Sequence, residues 1–322
     1  MKNMLLTLIG IICVSFLFSE ENISFFSANP FSFNDIIENL ENQEIQEVSG
    51  ILRFPDNISN NKKFPLVIGV AGSVGWGDHH YEYLKMYRDM GIATFELNSF
   101  KSRGVESTVG TQTEVTTAMM ILDVYRSFEI LANHPNIDKD RVALTGWSLG
   151  GGVTLFSGWE PLKEAIGIDL KFSARLAFYP ACFVTPYKID FEDTPTHILI
   201  GELDTWTPSE ACVEFTNMMK EKSYDFNITV YDNSYHSFDG SSSVSVNENA
   251  YDFSDCRLKI RDDGSVIMNF MDIPMNTPLL QKIGLSFCAK RGPKFGRNPD
   301  SREKAFLFSK DFMEKHLLYS DN

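Results

Sequence analysis

The segment 141–152 constrains this chain more than any other, because a short apolar strand breaks at Gly146, presents Ser148 and continues through three glycines into a helical pattern. Glycine lacks a Cβ atom, so it permits the close backbone approach that a tight turn from strand to helix requires. Such a turn lifts the Ser148 hydroxyl above the sheet and aims the first N–H groups of the next helix at it. The Gly-x-Ser-x-Gly spacing predicts a nucleophilic serine, although an ordinary glycine-rich turn has the same pattern.

Strand-like and helix-like segments alternate from 65 to 232. Residues 65–71 are continuously apolar, which is typical of a strand buried on both faces of a sheet. The alternation indicates βαβ units, a mostly parallel sheet and helices on both faces. A strand at 47–54 precedes these units, and the polar residues 20–45 predict a lead-in. Ligands of such sheets bind beyond the carboxyl ends of the strands, so functional residues are expected there.

Two polar residues follow later strands in the order that a serine nucleophile needs. A serine hydroxyl requires a base to accept its proton, and histidine requires an acid to fix its tautomer. Asp204 follows the apolar strand that ends near 200, and His236 follows the strand at 226–231. Glu202 is a rival acid, but it sits closer to the strand end. The order Ser148, Asp204, His236 is the one expected for a nucleophile elbow on a parallel sheet.

An oxyanion that forms beside Ser148 needs two backbone N–H donors. We expect one from Leu149, directly after the serine, and one from Ser73, in the loop after the 65–71 strand. Gly72 and Gly75 flank Ser73 and allow the backbone to approach a substrate closely.

The chain resembles the dienelactone hydrolase family of α/β-hydrolases. The segments that carry the resemblance follow one another in order: 65–75, 98–104, the Ser148 elbow, 201–208 and 235–238. The resemblance implies the α/β-hydrolase fold with an eight-stranded sheet, no cofactor, and cleavage of an ester or lactone through an acyl-enzyme. Position 148 is serine where the founding enzymes use cysteine, which favours a general carboxylic ester over dienelactone itself. A peptidase, an acyltransferase or a non-catalytic binding protein on the same scaffold is the alternative.

Four further residues are candidates for contact with substrate. Aromatic side chains can line an acyl or alcohol pocket, and an arginine can bind a substrate carboxylate. The three tryptophans are equally well explained by core packing, and the arginine by a salt bridge or solvation. The candidates are Trp76, Arg103, Trp147 and Trp206.

Charge and composition exclude other classes of function. The chain has 322 residues and a formal net charge of −14, which argues against a nucleic-acid partner, since phosphate binding requires basic patches. The six histidines form no metal-ligand cluster in the sequence, and no Cys-x-x-Cys spacing suggests zinc. We therefore expect a small-molecule substrate and no metal.

The first residues indicate export. Lys2 precedes an apolar run that ends near residue 18, so 1–19 reads as a signal peptide or an N-terminal anchor, with no other stable membrane partner expected. We expect a periplasmic or secreted protein in which 20–322 form one α/β-hydrolase domain. An irregular insertion at about 240–300 would cap the site or cover a sheet edge.

Cysteine usage agrees with an exported chain. Cys13 falls in the presumed signal and leaves an even number of cysteines for the mature protein, with three possible disulfide pairings. Cys256 and Cys288 flank one irregular stretch and are the preferred pair; four free thiols are the alternative. The four cysteines are Cys182, Cys212, Cys256 and Cys288.

Overall fold

The computed structural model describes residues 20–56, 63–268 and 272–319. The expected signal segment 1–19 lies outside the described residues. In chain order the strands are β1 (Glu20–Ala28), β2 (Ile45–Arg53), β3 (Phe64–Val70), β4 (Ala93–Leu97), β5 (Ile137–Trp147), β6 (Ala174–Phe178), β7 (Val184–Pro186), β8 (Thr196–Gly201), β9 (Phe226–Tyr231), β10 (Ser245–Val246), β11 (Tyr251–Asp252), β12 (Leu258–Ile260), β13 (Val266–Ile267), β14 (Lys290–Arg291) and β15 (Lys294–Phe295).

Helices separate the long strands. They are α1 (Phe33–Asn39), α2 (Asp78–Asp89), α3 (Ser99–Ser102), α4 (Thr117–Ala132), α5 (Leu149–Phe156), α6 (Glu160–Ile166), α7 (Ser209–Glu221), α8 (Pro278–Leu285) and α9 (Pro299–Leu317), with a 3-10 turn at Leu40–Asn42. Among the described residues, no helix combines the length and the apolar character needed to cross a membrane.

The central sheet has eight strands in the order β1-β2-β4-β3-β5-β6-β8-β9. The pairs β1–β2 and β2–β4 are antiparallel, and every later pair is parallel. Every residue of β3 is buried, as its unbroken apolar sequence predicts. The prediction of an α/β fold with a mostly parallel eight-stranded sheet is confirmed.

Helices cover both faces of this sheet. Adjacent residues of a strand point to opposite faces. On β5, a Cβ atom added at Gly146 would meet α5 at Thr154, whereas Thr145 lies beside Tyr87 of α2. Helix α4 packs on α5, and α2 packs on α9. One core results, with residues drawn from β1 through α9.

The prediction that 20–45 form a lead-in is wrong. These residues form β1 and α1, and β1 pairs along its whole length with β2 at the sheet edge. Only Phe25, Ser27 and Ala28 of β1 are buried, and its exposed residues are polar apart from Phe26, so its apolar signal is weak. An edge strand with one solvent-exposed face can carry polar residues at alternate positions and still form its backbone hydrogen bonds to the neighbouring strand.

The 240–300 stretch contains short strands and one helix rather than an unstructured loop. Strands β10 and β11 pair with β15 and β14, respectively. Strand β12 pairs in parallel with β7, which lies outside the 240–300 stretch. The structure has two disulfides: Cys182–Cys212 joins the turn after β6 to α7, and Cys256–Cys288 joins two parts of this stretch. The preferred pair Cys256–Cys288 is therefore confirmed.

Candidate active site

Ser148 occupies the turn between β5 and α5 with φ of 56° and ψ of −111°. A non-glycine residue with positive φ is uncommon, and such strain recurs at functional sites. A Cβ atom added at Gly146 would collide with the Gly150 carbonyl, and one at Gly150 would collide with the Val70 carbonyl. The glycines thus let α5 begin directly against β3 and β5, and the Ser148 N–H is fixed by the Phe178 carbonyl at 3.0 Å.

The structure brings Ser148, His236 and Asp204 into one hydrogen-bonded row. His236 Nε2 lies 2.9 Å from Ser148 Oγ, and His236 Nδ1 lies 2.7 Å from Asp204 Oδ2. His236 is 2% exposed and Asp204 is 3% exposed. A carboxylate this buried interacts with its partner through little water, so its attraction for an imidazolium is strong. Glu202 is exposed and accepts the Asn233 N–H at 2.9 Å, away from His236.

Two aromatic rings hold the imidazole of His236. Trp206 stacks on it with ring centroids 4.8 Å apart, and Tyr179 contacts it at 4.6 Å. Burial, reinforced by the nearby Asp239, raises the pKa of Tyr179 well above its ordinary value. The phenol therefore stays protonated and donates to Asp239 Oδ1 at 2.9 Å. The Gly296 N–H fixes the His236 carbonyl from the other side at 2.9 Å.

Ser73 and Leu149 lie on the wall of the same cavity as Ser148. Leu149 is the first residue of α5, so its N–H has no partner within the helix. Ser73 is buried in the loop after β3, with its carbonyl bonded to the Thr108 N–H at 2.9 Å. Within the described part of the chain, no hydrogen bond uses the N–H of Ser73 or Leu149. Both donors are free for an oxygen atom placed in the cavity.

Of the four candidates for substrate contact, the structure brings only Trp206 to this cavity. Trp147 is buried between His80 and Phe178, and Trp76 donates its indole N–H to the Leu97 carbonyl at 3.1 Å. Neither ring lies on the cavity wall: the buried Trp147 packs against Tyr83 of α2, and the partly buried Trp76 stacks on Tyr81 of α2.

Arg103 is likewise placed away from the cavity. Its guanidinium binds both oxygens of the buried Asp123, at 2.7 and 3.1 Å. The remaining donors bind Asn29, Ser99 and Ala28. With its donors committed to these partners, Arg103 is not available to a substrate carboxylate.

Thr207 is a site residue that the sequence reasoning missed. Its N–H donates to Asp204 Oδ1 at 2.9 Å, and its Oγ lies 3.0 Å from Asp204 Oδ2 and 3.1 Å from His236 Nδ1. The sequence signal that could have identified Thr207 is its position three residues after Asp204, in the same loop. The side chain of an aspartate in a turn commonly accepts a hydrogen bond from a backbone N–H a few residues further along the chain.

The described residues contain no group of three or more metal-binding side chains.

A model of the dienelactone hydrolase family matches residues 99–255. No curated protein matches the chain. Among solved structures, one named m3DLH is similar with 13% identity and a TM-score of 0.55, covering 93% of this chain and 99% of its own. A dienelactone hydrolase-like promiscuous phosphotriesterase from metagenomic libraries has 12% identity and a TM-score of 0.51, covering 92% and 98%. A putative dienelactone hydrolase from Klebsiella pneumoniae has 16% identity and a TM-score of 0.48, covering 68% of this chain and 89% of its own.

The two structures with TM-scores of 0.55 and 0.51 show the fold, and the family match covers the segment that contains Ser148, Asp204 and His236. That segment includes the elbow and the acid loop whose geometry is described above. The chain is similar over residues 99–255 to the dienelactone hydrolase family and has the α/β-hydrolase fold, which supports a hydrolase of the ester or lactone type.

Proposed function

We propose that this protein is a serine hydrolase that cleaves a carboxylic ester through an acyl-enzyme. Ser148 is the nucleophile, His236 is the general base, and the Asp204 carboxylate orients His236. The observation that carries the proposal is the hydrogen-bonded row of the three side chains, with distances of 2.9 and 2.7 Å. A base within hydrogen-bond distance of the hydroxyl, itself oriented by a buried carboxylate, is the arrangement that activates a serine.

The reaction proceeds in two halves. His236 Nε2 takes the Ser148 proton while Oγ attacks the ester carbonyl carbon. The carbonyl oxygen becomes an oxyanion that the N–H groups of Ser73 and Leu149 stabilise. Collapse expels the alcohol, which receives its proton from His236, and leaves the acyl group on Ser148. Water, deprotonated by His236, then attacks the acyl carbon and releases the acid, which restores the Ser148 hydroxyl. Asp204 stabilises the imidazolium in both halves.

The test is hydrolysis of p-nitrophenyl acetate by the wild type and by Ser148→Ala. Loss of a nucleophile of this kind lowers kcat by about 10⁴-fold or more. The exposed Ser241, substituted in the same way, serves as the control and keeps its activity. A fluorophosphonate probe should label the wild type and not Ser148→Ala. Full activity of Ser148→Ala would refute the proposal.

The same assay separates the alternative reactions. Turnover of peptide amides instead of esters identifies a peptidase, and transfer to an added alcohol in place of water identifies an acyltransferase. Absence of labelling and of turnover with every substrate identifies a binding protein. The intact row of Ser148, His236 and Asp204 supports hydrolysis over the last of these.

We further propose that the protein is exported and that 20–322 form one domain. The two disulfides support an oxidising compartment, and a hydrophobic core that runs from Phe25 to Leu317 supports one domain. Fractionation of the producing cells, with the mass of the mature chain, tests both the compartment and removal of 1–19. Recovery of the uncleaved chain in the cytoplasm with reduced cysteines would contradict export.

A further inference from the structure

A cavity of about 190 Å³ opens beside Ser148. Ser73 and Leu149 lie on its rim, and its walls are mainly aromatic and aliphatic side chains, among them Phe33, Phe156 and Phe183. A dry apolar cavity of about 150 Å³ holds a ligand the size of benzene. This cavity therefore accommodates a group of about six carbon atoms.

The cavity wall carries no ionisable side chain. Among the described residues that line it, those with polar groups are serines, threonines and glutamines, and none is Asp, Glu, Lys, Arg or His. Burial of a carboxylate without a cationic partner is costly because the charge loses its hydration. Arg103, which the sequence suggests for a substrate carboxylate, is bound to Asp123 and does not line the cavity. A charged ligand thus has no counter-ion here.

The roof of the cavity comes from parts of the chain that lie far apart in the sequence. Phe31 and Phe33 reach it from the segment that leads into α1, and Phe253, Leu258 and Leu285 reach it from the 240–300 insertion. The disulfide Cys256–Cys288 ties together the two insertion segments that carry these residues. The insertion therefore contributes a cross-linked apolar surface to the cavity wall.

The position of His236 decides which half of an ester enters the cavity. His236 must protonate the departing alcohol oxygen, so the alcohol lies on the His236 side of Ser148. The cavity is lined by Ser148, Ser73 and Leu149, whereas His236 itself does not line it, although its neighbours Trp206 and Thr207 do. The acyl group, which stays bonded to Ser148 Oγ, is the part that extends into it.

We propose that the substrates are uncharged esters whose acyl group is apolar and about six carbons long, selected by the insertion residues Phe253, Leu258 and Leu285. This inference rests on the proposed serine-hydrolase function and adds the substrate class. It sets the protein apart from hydrolases that take a carboxylated lactone, because here a second carboxylate would be buried without a partner.

The test is a series of p-nitrophenyl esters with acyl groups from two to twelve carbons, together with the mono-p-nitrophenyl ester of adipic acid. Each methylene that enters an apolar site adds up to about fourfold in kcat/KM. We expect kcat/KM to rise to a maximum near the hexanoyl ester and fall by the dodecanoyl ester. The adipyl ester has the same six carbons with a terminal carboxylate, and its kcat/KM should be at least about 100-fold lower than that of the hexanoyl ester.

The variant Leu285→Trp tests whether the insertion residues that line the cavity select the acyl group. The larger ring fills the cavity, so the hexanoate-to-acetate ratio of kcat/KM should fall at least about tenfold. Leu307→Trp is the matched control, because Leu307 is 58% exposed on α9 and does not line the cavity. That variant keeps the wild-type ratio.

The outcomes separate the two proposals. A flat chain-length profile, an adipyl ester turned over as well as the hexanoyl ester, or a preference that follows the alcohol would overturn the substrate class while ester hydrolysis and Ser148 labelling stand. If Ser148→Ala keeps its activity, the proposed function fails. Titration calorimetry of the wild type with the non-hydrolysable ketones 2-heptanone and 6-oxoheptanoic acid, which carry the same carbon chains, still tests the cavity in that case, and equal binding of the two would refute an uncharged cavity.

Discussion

Thr207 binds both oxygens of the Asp204 carboxylate. Its backbone N–H donates to Oδ1 at 2.9 Å, and its Oγ lies 3.0 Å from Oδ2, the oxygen that also faces His236. The same Oγ lies 3.0 Å from the Tyr179 carbonyl. Thr207 therefore fixes the plane of the carboxylate and links it to the end of β6, so that Asp204 can point only at the imidazole.

We expect Thr207→Val to lower kcat on p-nitrophenyl acetate by about 5- to 30-fold, because one buried hydrogen bond contributes about 1–2 kcal/mol. The backbone N–H bond to Asp204 remains, so the loss is smaller than that of Asp204→Asn. Thr207→Ser restores the hydroxyl and should recover most of the activity. A merely structural role would instead lower the melting temperature of Thr207→Val with kcat unchanged.

Arg103 and Asp123 form a buried ion pair whose loss should affect stability and not substrate use. Arg103→Met leaves the Asp123 carboxylate buried without its partner, and we expect the free energy of unfolding to fall by about 3–5 kcal/mol. The double variant Arg103→Met/Asp123→Leu should recover a large part of this loss. Urea denaturation measures both, and kcat/KM on neutral esters should stay within about twofold of the wild type. A change confined to carboxylated substrates would contradict this account.

Gly150 and Gly152 lie two positions apart in α5 and differ in their tolerance for a side chain. A Cβ atom at Gly150 would overlap the carbonyl oxygens of Val70 and Ala71, whereas one at Gly152 has no atom nearer than 4.0 Å. Gly150→Ala should therefore lower stability by about 3 kcal/mol or more, or prevent folding. Gly152→Ala should be neutral or stabilising by up to about 1 kcal/mol, because alanine favours helix. Thermal melts compare the two, and equal melting temperatures would contradict the packing described.

The Cys256–Cys288 disulfide should matter for acyl selection as well as for stability. It closes a loop with a sequence separation of 32, so its replacement by two alanines should cost about 3–4 kcal/mol. Because it ties together the insertion segments above the cavity, the hexanoate-to-acetate ratio of kcat/KM should also fall. Fluorophosphonate labelling of Ser148 checks that the site still assembles. An unchanged ratio would show that the roof holds its shape without the cross-link.

His197 should make stability depend on pH. Burial, with a smaller effect of Lys220, lowers the pKa of His197 to about 4, against an ordinary value of 6.5. Above about pH 6.5 the residue is neutral in both states and contributes no pH dependence. As pH falls from 6.5 to 4 the unfolded chain binds the proton first, so stability decreases and then levels off.

We therefore expect the stability of the wild type to fall relative to His197→Gln by up to about 3 kcal/mol between pH 7 and pH 4. Glutamine retains a group that can bond to Thr229, whose Oγ lies 2.9 Å from His197 Nε2. Urea unfolding at pH 7, 5.5 and 4 gives the comparison. A constant difference between the two proteins across this range would rule out titration of His197.

The sheet and the row of Ser148, Asp204 and His236 could be anticipated because their signals are local. An unbroken apolar run predicts a doubly buried strand, and glycines beside a serine predict a sharp turn, whatever the rest of the chain does. Parallel strands place their carboxyl ends at one edge, so residues distant in sequence are expected to meet there. The edge strand β1 was missed, because pairing along one edge does not require an apolar pattern.

The sequence by itself determined the fold class and the order of the reactive side chains, since both depend on patterns within single elements. Only the tertiary structure decided what surrounds them. It paired Arg103 with Asp123, packed Trp76 and Trp147 against α2, and brought the 240–300 insertion to the cavity beside Ser148. The physical reason is that a pocket is made of contacts between segments far apart in the chain, which no local pattern encodes, whereas a turn or a buried strand is specified by its own residues.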